Sequence, residues 1–246
     1  MNQDLSFFKD RELALKFYQE NGYFIEKNIF NSDLCDQIIQ NGLKLKEDLG
    51  NEVFAPLMMP HRHDKLFLEA MAHPKLVEIM SILVGGDVSG LQTEMFFCKP
   101  GTRGFASHQD NFFVEAGKEV FASAWVALTD TSYENGGLIA YPGTHKEDIL
   151  PTRKIRVENS AGQDPNANNE EVVIPEIYKP INAIVPKGAA FFIHGNLVHA
   201  SNMNQSNGFR YVLLCTYIKT GEPFRPGNHA KRKEIPLSNN QTLTAC

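Results

Sequence analysis

The sequence is poor in the features that identify many proteins at sight. It has four cysteines, one tryptophan and no apolar run of the roughly 18 to 20 residues that a membrane span requires. Cys35, Cys98, Cys215 and Cys246 lie far apart and form no C-x-x-C pair, so they read as reduced, mostly buried thiols rather than a zinc or redox site. Neither G-x-G-x-x-G nor G-x-x-x-x-G-K-[ST] occurs, and no strand–helix–strand alternation is visible, which excludes a dinucleotide fold. Basic charge is also short. The net charge is −5, and the largest basic cluster, Lys231–Lys233, falls in a stretch that reads as an irregular tail, so nucleic acid is not an expected partner and neither is a membrane. The first residues, MNQDLSFFKDRELALKF, lack the basic start and apolar core of a signal peptide, and a cytoplasmic location is expected.

What is present is an ordinary globular composition, 42% apolar and 22% charged over 246 residues, enough for one domain with a substantial core. Residues 1–87 read as mainly helical. Leu34, Ile38, Ile39 and Leu43 form one helical face behind Asn31 or Ser32 as cap, and Leu76, Ile79, Met80 and Leu83 form another between Pro74 and Gly85. From Val88 the pattern changes to short β-rich runs: VSGLQTEMFFC, FASAWVALT, GLIAYP, INAIVP, AAFFIH and RYVLLCTYI. Many short strands after a helical start predict a mainly β fold with outer helices, its core over residues 88–220. A polar insertion over residues 146–178 interrupts that core and is expected to act as a lid; residues 221–246 are expected to be a tail.

The chemistry concentrates in SHQDNFF. His108 and Asp110 lie two apart, so on an extended strand both side chains share a face and could bind one ion. A third ligand should come from a distant strand, where FFIHGNLVHAS offers His194 and His199. Two histidines and one carboxylate on one face of a metal suit iron(II) with open positions, although zinc or manganese would accept the same donors. Arg210, eleven residues after His199, starts the last β-rich run. Its guanidinium is suited to bind the distal carboxylate of 2-oxoglutarate through paired hydrogen bonds.

These residues resemble the phytanoyl-CoA dioxygenase family of Fe(II)- and 2-oxoglutarate-dependent oxygenases. The resemblance runs over about residues 18 to 220 and is carried by FYQENGYFIEKNIFNSDLC, HPKLVEIMSILVGGDV, KPGTRGFASHQD, SAWVALTDTSYENGGLIAYPGTHK and PKGAAFFIHGNLVHASNMNQSNGFRYVLL in that order. It implies a double-stranded β-helix, a cupin-like jelly roll, in which His108, Asp110 and His199 bind iron and Arg210 binds 2-oxoglutarate. It further implies that Ser201 joins Arg210 at the carboxylate, that Trp125 lines the co-substrate pocket, and that Gln109 lies near co-substrate or substrate. With dioxygen, such an enzyme hydroxylates an unactivated C–H bond of a small molecule and releases succinate and carbon dioxide. An aspartate at 110 favours hydroxylation or desaturation over halogenation, because halogenases of the superfamily carry a small residue there. Desaturation, epoxidation or cyclisation by the same site is the alternative outcome, and a ligand-binding jelly roll without activity is the alternative class. His194 reads as structural, and His145 as an outward-facing loop residue. Of Gln92 and Thr93 only one can face the pocket; both stand as candidates, with Thr93 assigned to the co-substrate. Met58, His61 and Arg62 of MMPHRHD are candidate substrate contacts, whereas His63, like His61, is not expected to bind iron.

Overall fold

The computed structural model describes residues 5–49, 56–155 and 170–237. In chain order its elements are α1 (Arg11–Asn21), β1 (Tyr23–Glu26), α2 (Ser32–Asp48), β2 (Leu57–Met58), α3 (Lys65–Met71), α4 (Pro74–Val84), β3 (Val88–Cys98), α5 (Asn111–Val114), β4 (Phe121–Ala127) and β5 (Leu138–Ala140). Then follow β6 (Thr152–Lys154), β7 (Glu170–Val172), β8 (Ile181–Asn182), β9 (Ala190–His194), β10 (His199–Ser201), β11 (Arg210–Lys219) and β12 (Ile235–Pro236). A large antiparallel sheet runs β1-β9-β4-β11-β3-β12, with β2 added beside β3, and faces a small sheet, β10-β5-β8. This is the double-stranded β-helix, and the six β-rich runs of the sequence supply most of it.

Strands of the large sheet are buried on both faces, which is why they read as continuous apolar runs rather than alternating ones. Along β4 and β9 the odd-numbered Trp125, Ala127, Phe191 and Ile193 face the small sheet, where they meet Leu138, Ala140, Ala183 and Val185. The intervening Ala124, Val126 and Phe192 face outward and pack with α1–α4. Asn31 caps α2, its side chain accepting from Leu34 N at 2.8 Å, and Gly85 ends α4 at φ 69°. The α2 face differs from expectation at one position: Leu43 is exposed, and Gly42 turns inward instead, where any side chain would collide with Met95.

Two boundary expectations change. The helical first part also donates a strand, since β1 pairs with β9 in register Tyr23↔Ile193. The stretch after β11 is not a loose tail over its described length: β12 pairs with β3, and Arg225 and Arg232 fasten the intervening chain to the barrel. No helix among the described residues is long and apolar enough to cross a membrane. Cys35, Cys98 and Cys215 are buried; Cys246 lies outside the described residues.

Candidate metal centre

His108 and His199 are brought together by their own backbones. They form an antiparallel bridge, His108 N donating to His199 O at 2.9 Å and His199 N to His108 O at 3.0 Å, with ring centroids 4.3 Å apart. The chain does not stay extended as far as Asp110. That residue is already helical (φ −58°, ψ −37°) and opens the short turn α5, which Asn111 N anchors by donating to Gly195 O at 2.9 Å. A bridge followed by a turn, rather than alternation along a strand, aims the carboxylate at the imidazoles. Asp110 Oδ1 is 3.6 Å from the Nε2 atom of each histidine, and the three ligand atoms lie within 4.8 Å of one another.

Each donor is oriented by a second contact. His108 Nδ1 meets Ala106 O at 2.8 Å and His199 Nδ1 meets Leu197 O at 3.1 Å. A carbonyl can only accept, so each Nδ1 carries a proton and each Nε2 faces the shared space, where it can serve as the ligand atom. Ser123 donates to Asp110 Oδ2 at 2.7 Å, leaving Oδ1 to the centre. Burial, followed by repulsion from His108, pushes His199 down to about 4, so its imidazole is neutral and able to ligate. Burial alone would raise the Asp110 carboxyl, but His199, His108 and Ser123 outweigh it and hold the group well below the usual carboxylate range.

The centre opens into a cavity of about 500 Å³ whose lining also includes Arg210, Ser201, Trp125, Gln92, Glu94 and Thr216. Arg210, the first residue of β11, is 3% exposed and lies 5.4 Å above the Trp125 ring. It donates from Nη2 to Cys98 Sγ at 2.7 Å, but its buried Nε has no hydrogen-bond partner among the described residues. A guanidinium held in this way wants an anion. Ser201 accepts from Phe105 N at 2.8 Å through Oγ, which leaves its hydroxyl proton for a ligand.

Of the other predicted residues, Gln92 and Met58 line the cavity and the rest lie elsewhere. Gln109 does not line the cavity: it donates to Asn196 O (2.7 Å) and Asp148 O (3.3 Å) and accepts from Leu150 N (2.8 Å), so its amide ties the start of the insertion to the ligand turn. Thr93 faces away as well, with Oγ1 2.7 Å from His61 Nδ1; Gln92 is the member of that pair on the cavity side. Met58 lines the cavity, whereas Arg62 donates to Ala230 O and Lys231 O. His145 is buried, because the turn at Gly143 (φ 89°) swings it in to meet Gln19 O at 3.0 Å. Among the described residues of the insertion none lines the cavity, and residues 156–169 lie outside the described set. The stretch read as a tail supplies Arg225, His229 and Arg232 instead. Sequence reading also missed Glu94 and Ser123. Each could have been found by parity, standing two residues from Gln92 and from Trp125 on strands where those residues face the site.

Among known proteins, residues 18–212 match the family model "Phytanoyl-CoA dioxygenase (PhyH)". The chain is 25% identical over 233 residues to rat "Phytanoyl-CoA dioxygenase, peroxisomal", covering 82% of this chain and 66% of that protein. Its fold is shared with the non-haem α-ketoglutarate-dependent carbocyclase SnoK from nogalamycin biosynthesis (TM-score 0.72, 21% identity, 92% of this chain and 89% of that one). It is shared equally with the epimerase SnoN crystallised with Fe3+, α-ketoglutarate and nogalamycin RO (TM-score 0.71, 17% identity, 93% and 96%). The match over 18–212, together with the His108–Asp110–His199 set built on this barrel, places the chain in the phytanoyl-CoA dioxygenase family.

Proposed function

We propose that this protein is an Fe(II)- and 2-oxoglutarate-dependent oxygenase that hydroxylates an unactivated C–H bond of a small molecule. The observation that carries the reading is Arg210: a buried cation whose Nε has no partner among the described residues, in the same cavity as two imidazoles and a carboxylate that converge on one point. The donor set suits iron(II), and the arginine suits the distal carboxylate of the keto acid. When bound, iron and 2-oxoglutarate together supply an oxidant derived from dioxygen, the keto acid leaving as succinate and carbon dioxide.

The chain's own residues bind, orient and exclude water. His108, Asp110 and His199 hold the metal on one side and leave the other open to ligands. Arg210 and Ser201 anchor the co-substrate against Trp125, so that its reactive end is presented in one orientation. Phe96, Phe105, Phe113 and Phe121 wall the cavity and keep solvent from competing with the bound substrate. The cytoplasm remains the compartment proposed on composition, and a small molecule the proposed partner.

A second reading keeps the site and changes the outcome. Relatives by fold are named an epimerase and a carbocyclase, so desaturation, epoxidation or cyclisation is open to the same residues. Product analysis separates these from hydroxylation. The test of the class is an anaerobic titration of metal-free protein with Fe(II) and 2-oxoglutarate, followed by visible absorption. A weak charge-transfer band from keto acid on iron is expected in the wild type and not in His199→Ala. Its absence from folded wild-type protein would exclude the oxygenase reading.

A further inference from the structure

Iron and 2-oxoglutarate account for Asp110, the two histidines and Arg210, but not for the remaining charges of the cavity. These are Glu94 on β3 and Arg225 and Arg232 after β11. Arg225 is spent on its surroundings, pairing with Glu115 at 2.8 Å and donating to Phe112 O and Phe113 O. Arg232 donates from Nε to Gln92 Oε1 at 2.7 Å and from Nη1 to Phe113 O at 3.2 Å. Gln92 in turn donates through Nε2 to Glu94 Oε1. The glutamine therefore stands between the arginine and the glutamate, and Arg232 is not the direct counter-ion of Glu94.

The other carboxyl oxygen, Glu94 Oε2, takes no hydrogen bond among the described residues. It belongs to a cavity whose lining includes the apolar faces of Phe96, Phe105, Phe113, Phe121 and Leu214. A carboxylate in such surroundings is costly unless a cation joins it. The environment reflects this: burial, then the charge of Asp110, pushes Glu94 up to about 7 despite the pull of Arg232, the hydrogen bond from Gln92 and, more weakly, His108. The neighbouring strands face it with uncharged Met58 (β2), Leu214 and Thr216 (β11). With Asp110 given to the metal, Arg210 to the co-substrate, and Arg225 and Arg232 held by Glu115, Gln92 and backbone carbonyls, Glu94 is the charge of the lining left without a direct counter-ion, and the aromatic faces beside it suit a cation.

We propose that Glu94 selects the substrate, and that the substrate carries a protonated amine that pairs with Oε2 while its apolar body lies along the phenylalanine walls. That this ligand is the substrate rests on the oxygenase reading above; that Glu94 binds an amine does not. A hydroxyl could also reach Oε2, but would leave the carboxylate charge uncompensated, so the amine is favoured.

Isothermal titration calorimetry under anaerobic conditions tests this, on metal-free protein and on protein loaded with Fe(II) and 2-oxoglutarate. The probes are 2-phenylethylamine, 2-phenylethanol and 3-phenylpropanoate. The amine is expected to bind the wild type at least about tenfold more tightly than the alcohol, a difference of roughly 1.4 kcal/mol, with the carboxylate weakest. Glu94→Gln should erase that preference, and Glu94→Asp should keep it at lower affinity. The iron–keto-acid band monitors folding of both variants. Equal binding of alcohol and amine, a preference that survives in Glu94→Gln, or failure of every probe to bind overturns the proposal. Amine selectivity without the iron band would leave Glu94 standing and remove the oxygenase reading; the band without selectivity would do the reverse.

Discussion

Two clusters in this molecule each contain two histidines and an acid, and only one of them is built to take a metal. In the first, His108 and His199 spend Nδ1 on carbonyls two residues earlier in their own chain and turn Nε2 toward a carboxylate that is itself mostly buried. In the second, His194 uses Nε2 on Glu119 (3.2 Å) and accepts from Asn196 N through Nδ1 (3.0 Å), while His145 spends Nε2 on Gln19 O. Glu119 is 75% exposed at its side chain. Residue type and proximity are the same, the rings standing 4.3 Å apart in one pair and 5.1 Å in the other. What separates them is convergence: His145 Nδ1 is also without a partner among the described residues, but both nitrogens of His194 are taken and the acid is exposed, so no second free donor meets it. A ligand set is defined by donors that the protein orients but does not satisfy.

The comparison breaks most sharply by exchange of a histidine from each cluster. His199→Ala is expected to abolish iron binding and turnover, whereas His194→Gln should keep both, as read by metal content and the iron–keto-acid band; iron loss in both would erase the distinction. Arg210→Ala comes next. Loss of a buried, charge-assisted contact worth about 1.5 to 3 kcal/mol should raise the 2-oxoglutarate requirement by roughly ten- to hundredfold, with iron affinity little changed in a direct titration. Ser123→Ala should act through the metal instead. Removing the partner of Asp110 Oδ2 is expected to weaken iron binding by about tenfold or somewhat more, without a matching change in the 2-oxoglutarate requirement.

The smallest effect belongs to the second cluster and concerns stability. Burial, partly countered by the Gln19 carbonyl, pushes His145 down to about 4, below its ordinary 6.5. Between those values the unfolded chain takes up the proton and the folded chain does not. Stability is therefore full above 6.5 and declines as pH falls toward 4. In His145→Gln the urea midpoint should fall less steeply over that interval; an unchanged slope would mean that this histidine contributes nothing to acid sensitivity.

The barrel was legible because its strands are buried on both faces and announce themselves as apolar runs between Gly, Pro and Asn. β1 was not, because four residues, Tyr23–Glu26, inside a helical context carry no period of their own. At the site, spacing and family resemblance pointed to His108, Asp110, His199 and Arg210, and these are the residues that the fold assembles. The reason given for the His108–Asp110 pair does not hold, since a turn and not a strand aims the aspartate. Thr93 shows a limit of another kind: alternation divides a strand into two faces but does not say which one looks inward, and the answer here is the face of Gln92 and Glu94. Gln109 was misplaced because its partners, Asp148, Leu150 and Asn196, are far from it in sequence. Arg225 and Arg232 were overlooked for the same reason, their acceptors being carbonyls more than a hundred residues earlier.

That last arrangement has a consequence for how the protein can be divided. The barrel strands through β11, the three ligands and Arg210 all precede the segment bearing Arg225 and Arg232, so the ligand set and the wall those arginines fasten are separate parts of the chain. A chain ending shortly after Lys219 would carry the whole ligand set with one cavity wall missing. Released chains truncated shortly after Lys219 would be the place to look for a metal site that assembles in a cavity open on one side.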